Sequence, residues 1–228
     1  MNLFAKKTSQ IQRPERDLRT GAVVVVATDD TYAPMQYFRC WSLSQRIRVK
    51  PTPPKSGHSS PKHVVDRLLK ARAKAGEIYS RDEYWVLLDS DHHFDDNNWK
   101  KTLKSLSKAR RSGFEVIVSK PCFEIWLLLH HAEISPATDF GVCANVEEQL
   151  RSVLGSYCKS QLNPGQFTRE MVPKAIERAR QLDTGVLPKK TGTRVYLLLE
   201  HLLNLPPTII RTDSKESPAI SPRPRRRR

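Results

Sequence analysis

The pattern of apolar and polar positions predicts strands alternating with helices. Ala22–Ala27 is a continuous apolar run with four valines in succession. β-Branched side chains suit a pleated surface, so the run predicts a strand. Its lack of alternation predicts burial on both faces, as in a parallel sheet. Thr28–Thr31 closes it as a turn. A helix follows from Pro34 to about Arg46, with Tyr37, Cys40, Trp41 and Ser44 on one face. Ile47–Lys50 reads as a short strand and Pro51–Pro61 as a Pro/Ser/Gly-rich loop. The helix from Pro61 to about Lys74 carries an apolar stripe of Val64, Val65, Leu68, Leu69 and Ala71. Tyr84–Leu88 predicts another strand. Asn98–Ser112 predicts a helix with Trp99, Leu103, Leu106 and Ala109 facing inward and Gly113 as its stop. Phe114–Val118 is the next strand. Strand, helix and strand joined by short loops mark a parallel sheet. Phe123–His131 then predicts a buried helix, with further helices near Val146–Leu154, at Val172–Gln181 and at Thr193–Leu203.

The chain has 228 residues, enough to bury a central sheet without disulfide or metal staples. The expected organisation is a basic lead-in over 1–20, an α/β core over 21–135, a helical C-terminal region over 136–205 packed on that core, and a disordered Arg/Pro-rich tail over 206–228. No apolar run approaches the roughly 18–20 residues of a membrane span, and the first residues lack an apolar leader segment. These features predict a cytoplasmic protein with no membrane partner. Cys40, Cys122, Cys143 and Cys158 have no C-x-x-C spacing and are expected to be reduced thiols.

Charge adds a partner. The net charge is +15, of which residues 1–20 carry +3 and residues 211–228 carry +5, leaving +7 on the body. The tails alone do not explain the excess, and a polyanion, DNA or RNA, is the implied partner. A basic pI without function is the rival explanation.

In open α/β sheets, ligands bind beyond the carboxyl ends of the parallel strands. That rule selects Thr28, Asp29 and Asp30 after the first strand, Asp89 and Asp91 after the Tyr84–Leu88 strand, and Ser119, Lys120 and Glu124 after the Phe114–Val118 strand. Carboxylates converging there would repel each other by several kcal/mol in a partly dry cleft. A divalent cation would relieve that repulsion, and oxygen ligands favour Mg²⁺ or Mn²⁺ over zinc. Residues i and i+2 of an extended strand point the same way, so Asp89 and Asp91 are the candidate metal ligands. The rival reading is that they cap the next loop. His92 and His93 adjoin the pair as a ligand or proton shuttle, or are simply exposed. Glu124, set among apolar residues, requires a partner, either catalytic or a helix N-terminus. Lys120, Lys159 and Lys174 are the candidate phosphate contacts. Thr191-Gly192-Thr193 could cap the last helix or offer N–H groups to an anion.

The segment YWVLLDSDHHF followed by VIVSKPCFEIWLLLHH resembles the RloB (AbiL-type) family, whose members carry D-R-D-E/H after a strand and later S-N-P-C-F-E-L-W-L-L-L-H. Tyr157-Cys158-Lys159, the Ala175 to Ala179 spacing and TGTRVYLLLEHLL extend the resemblance over roughly residues 20–205. It implies a Toprim-like α/β fold, a mostly parallel sheet flanked by helices, in bacterial anti-phage (abortive infection) systems often encoded beside an AAA-type ATPase. Toprim folds bind Mg²⁺ through a D-x-D pair, matched here by Asp89 and Asp91, and use a glutamate after the first strand near the scissile phosphate. That glutamate falls at Thr28, which cannot act as a carboxylate. Asp29 or Asp30 would have to substitute, with Glu124, as the catalytic carboxylates. Lys120 stands where the family has asparagine and would favour a phosphate.

Three functions stay open at this point. The first is a Mg²⁺-dependent nuclease effector working with an ATPase, for which a homo-oligomer is also allowed. The second is a catalytically degenerate subunit binding nucleic acid or that partner. The third is a nucleotide-sugar transferase, in which D-x-D also follows a strand but the basic tails have no role.

Overall fold

The computed structural model describes residues 23–42, 47–49, 59–75, 82–91 and 98–204. The expected lead-in and tail, His92 and His93 lie outside the described residues. The sheet contains β1 (Val24–Thr28), β2 (Ile47–Val49), β3 (Glu83–Asp89), β4 (Glu115–Lys120) and β5 (Gly192–Thr193), in the order β2-β1-β3-β4-β5. The first four are parallel, and the two-residue β5 runs antiparallel to β4. The helices are α1 (Ala33–Ser42), α2 (Pro61–Ala75), α3 (Trp99–Arg111), α4 (Glu124–Leu129), α5 (Cys143–Leu154), α6 (Val172–Gln181) and α7 (Val195–Asn204). The architecture is α/β, a mostly parallel open sheet flanked by helices, as expected for a Toprim-like core.

The valine run becomes a strand buried on both sides. Val24 and Val26 join α1, α4, α5, α6 and α7 in one hydrophobic cluster. Val23, Val25 and Ala27 face α2 and α3 in a second. Continuous apolarity thus reflects two helical layers, one per face. The crossover β1-α1-β2 moves one way along the sheet, and β2-α2-β3 passes back over β1 to its other side. β1 and β3 are therefore neighbours whose following helices lie on opposite faces. Such a reversal opens a crevice at the carboxyl ends of the two strands.

Local details depart from the periodicity. β1 continues through Thr28, which the expected turn would have excluded. Trp99, expected to face inward, is exposed, while Thr102, Ser105, Leu106 and Ala109 form the buried stripe of α3. Trp99 is the first residue of the helix, where no preceding turn helps to cover it. A Cβ at Gly192 would stand 2.9 Å from the Leu182 carbonyl oxygen. Glycine there lets β5 close against the turn after α6.

Candidate functional site

β1 delivers its carboxylates through a tight local turn. Thr28 is buried, and its hydroxyl accepts the Asp30 backbone N–H at 3.1 Å. Asp30 Oδ1 in turn accepts the Tyr32 N–H at 2.8 Å, leaving Oδ2 aimed at Lys159 Nζ, 3.0 Å away. Thr28 therefore shapes the turn, and Asp30 supplies the carboxylate. Asp29 Oδ2 accepts the Asp89 N–H at 3.2 Å, tying the ends of β1 and β3 together.

Asp89, the last residue of β3, is buried, and its Oδ1 accepts the Phe123 N–H at 2.9 Å at the N-terminus of α4. Glu124 opens that helix and is fully buried. The five apolar residues after it, Ile125 to Leu129, are also fully buried. At roughly 1.5–3 kcal/mol each, they outweigh the several kcal/mol that burying one carboxylate costs. The helix consequently carries its glutamate inward. Glu124 Oε1 accepts from Tyr157 OH at 3.0 Å and meets Lys159 Nζ at 3.3 Å.

Asp30, Asp89 and Glu124 each place a carboxylate oxygen within 4.8 Å of the others. Burial raises the Asp89 pKa well above the usual carboxylate range, and the charges of Asp29, Glu124 and Asp30 raise it further against the opposing pull of Lys159. Burial likewise raises Glu124, outweighing Lys159. Burial would lower Lys159, but Glu124 and Asp30 reverse this and raise it. Tyr157 is raised by burial and then by Glu124, so it stays a protonated donor. Arg67, lowered by burial, feels Asp29 as a favourable charge. Four carboxylates thus crowd around two cations, Lys159 and Arg67, and their mutual repulsion is what raises Asp89 beyond the effect of burial. The all-oxygen donor set suits Mg²⁺ or Mn²⁺.

Not all the expected residues meet there. Asp91 lies outside that carboxylate group. The chain leaves strand geometry after Asp89, because Ser90 N–H bonds to Ser119 O and Pro121 O and Asp91 N–H to Pro121 O. Lys159 is bound into the cluster. Lys120 Nζ donates to Lys189 O at 2.7 Å, and Lys174, exposed on α6, pairs with Glu177 at 2.8 Å. Thr193 Oγ1 accepts the Val195 N–H at 3.2 Å, capping α7, and lies 2.7 Å from Ser119 Oγ. Thr191 Oγ1 accepts the Phe140 N–H. Both threonines serve the fold.

The expectation of reduced cysteines is corrected for two of them. Cys122 and Cys143 form a disulfide, their Cα atoms 5.6 Å apart. A separation of 21 residues carries no local spacing signal; the pairing arises because α5 packs back on α4. Cys143 Sγ stands 3.4 Å from Glu124 Oε2, a contact without a proton because the sulfur is bonded. Cys158 is free and exposed.

Sequence reasoning missed Tyr157 as the Glu124 donor and Gln36 as a clamp. Gln36 Nε2 donates to Lys159 O at 2.9 Å, and its Oε1 accepts Leu162 N–H at 2.9 Å, fixing the Lys159 segment to α1. Tyr157 carried a signal only as part of the Tyr157-Cys158-Lys159 segment of the resemblance, which gave it no role. A lone helical glutamine such as Gln36 carries none.

The fold and this cluster define an α/β protein with buried carboxylates at the switch point of a parallel sheet. The RloB-like protein family matches residues 24–202, and the chain belongs to that family. Comparison with curated proteins and with solved structures finds no match. Among the described residues no helix is long and apolar enough to cross a membrane.

Proposed function

We propose that this protein is a Mg²⁺- or Mn²⁺-dependent nuclease effector of a bacterial anti-phage system, acting on DNA or RNA together with an AAA-type ATPase. The observation that carries this reading is the grouping of Asp30, Asp89 and Glu124 within 4.8 Å at the sheet's switch point. The family resemblance adds the defence setting and the partner. Asp30, Asp89 and Glu124 would hold the ion. When bound, it would polarise a phosphodiester oxygen and lower the pKa of an attacking water. Asp29 fixes the end of β3 through the Asp89 N–H. Tyr157 and Lys159 hold Glu124 Oε1 in place. Lys159 also keeps Asp30 turned toward the cluster, and its positive charge sits where a phosphate would arrive.

The test is incubation of the full chain with RNA, single-stranded DNA and duplex DNA in Mg²⁺ or Mn²⁺, alone and with an AAA-type ATPase of the kind the resemblance implies. Asp89→Asn and Asp30→Asn should each abolish metal-dependent cleavage while thermal unfolding shows a folded chain. Cleavage retained in both folded variants sinks the assignment. One observation favours a second reading, a degenerate nucleic-acid- or partner-binding subunit. The resemblance puts Thr28 where a Toprim fold has its glutamate, and the Thr28 hydroxyl is engaged by Asp30 N–H. Absence of cleavage under every condition, with nucleic-acid binding intact, would favour that subunit.

A further inference from the structure

The positive charge of this chain is not spread evenly. α2 and α3 together carry eleven basic residues against one acidic, Asp66. Residues 121–204, which supply α4, α5, α6 and α7, carry nine of each sign. The body's excess is only +7, so one helical layer accounts for more than all of it. On the balanced layer, cations pair with acids: Arg151 with Glu147, Lys174 with Glu177, Arg180 with Glu200. On the α2–α3 layer, Lys108 takes Asp66 at 2.7 Å and the remaining cations outnumber any acid within the two helices. A concentration of like charge this high destabilises the compact state by self-repulsion unless a polyanion answers it.

The two helices enclose a groove of 540 Å³, lined by Lys62, Lys101, Lys104, Lys108 and Arg111 among others. All five are exposed. On α3 the cations recur at steps of three and four, which places them in one row along a helical face. From Lys101 to Arg111 the row spans about 15 Å at ~1.5 Å per residue, close to four nucleotide steps of about 3.4 Å. A small anion would need one or two of these cations, whereas a row of this length fits a polymer of phosphates. The groove also begins at the right place. The N-termini of α2 and α3, at Ser60–Lys62 and Asn98–Lys101, follow β2 and β3 and so lie at the carboxyl edge of the sheet, the rim that carries Asp30 and Asp89.

We infer that the α2–α3 groove is the docking surface for a nucleic-acid backbone, bound without sequence preference and led to the carboxylate rim. The destination at the rim rests on the nuclease reading, whereas binding along the groove does not.

The test uses the full chain in EDTA, a labelled short duplex and the matching single strand, with fluorescence anisotropy over a salt series. The groove variant is Lys101→Gln/Lys104→Gln/Arg111→Gln, which spares the Lys108–Asp66 pair. The control is Arg151→Gln/Arg169→Gln/Arg180→Gln on the balanced layer. The groove variant should bind the duplex at least about 10-fold more weakly at low salt, with the slope of log K against log salt shallower by about 0.9 per lost contact. The control should stay within about twofold. Equal affinity and slope for groove variant and wild type overturns the proposal. So does an equal loss in the control, which would make the effect one of net charge alone. Polyglutamate displacing the duplex as readily as unlabelled duplex does would assign the groove to acidic polypeptides instead, and also overturns it. Cleavage is read separately: groove-dependent binding with no cleavage sinks the nuclease reading alone, and cleavage with groove-independent binding sinks this inference alone.

Discussion

Replacing Lys159 with methionine keeps the aliphatic stem and removes one charge from a cluster that already holds too few cations. The side chains it neutralises are inaccessible: Glu124 is 0% and Asp30 8% exposed, against 31% for Lys159 itself. Breaking a buried pair by deleting one partner costs about 3–5 kcal/mol, because the other charge stays behind. Partial exposure of Lys159 puts this case at the lower end, about 3 kcal/mol. For a chain of this size that is a fall in Tm of roughly 6–12 °C, readable by thermal and urea unfolding of the full chain. Burial already raises the Glu124 pKa, and loss of Lys159 raises it further. A raised folded-state value stabilises below the unfolded pKa and is lost as pH rises through the folded one. The deficit should therefore narrow toward acid pH and widen toward neutrality. Mg²⁺ or Mn²⁺ should recover part of it, about 2.7 kcal/mol at a hundredfold excess over Kd, and should stabilise the variant more than the wild type. Glu124→Gln in the same background should restore stability, giving a coupling between the two sites in a double-mutant cycle. A loss below about 1 kcal/mol for Lys159→Met would refute the claim that these carboxylates depend on that cation.

Two other measurements follow from buried groups. His130 Nδ1 lies 2.9 Å from the Trp126 carbonyl and so donates to it, leaving Nε2 to accept from Tyr37 OH at 3.2 Å. Burial depresses its pKa to about 4, with His131 and Arg178 adding to the fall and the Trp126 bond opposing it. Its contribution is complete above pH ~6.5 and lost as pH falls toward 4, up to about 3 kcal/mol. Urea unfolding at pH 7 and pH 4.5 should show a smaller drop for His130→Gln than for the wild type, and equal drops would refute the assignment. The Cys122–Cys143 bond closes a separation of 21 residues, a loop for which chain entropy gives about 3 kcal/mol. Reductant should lower the Tm of the wild type and leave that of Cys122→Ser/Cys143→Ser unchanged. An unaltered wild-type Tm would contradict the bond's contribution.

Much of this molecule follows from local pattern. The valine run, the apolar stripe of α2 and the Pro/Gly boundaries announced a parallel sheet with helices on both faces, because burial on one face or two leaves a period in the chain. Asp30, Asp89 and Glu124 were legible as candidates for a related reason: carboxylates at strand ends and inside apolar segments need partners. Which carboxylates meet was not legible. Asp91 is not in the group within 4.8 Å, and the chain turns after Asp89 to bond Pro121; Asp30 joins that group beside the turn its own N–H closes on Thr28. Lys159, 123 residues from Gln36 and 35 from Glu124, is held there by contacts between α1, α4 and the segment after α5. The pairing of Cys122 with Cys143, and the gathering of eleven cations onto one layer, have the same origin. Sequence alone settles what each segment can bury, since that depends on neighbours a few residues away. Long-range packing decides which charges face each other, since electrostatic partners are chosen by distance in space.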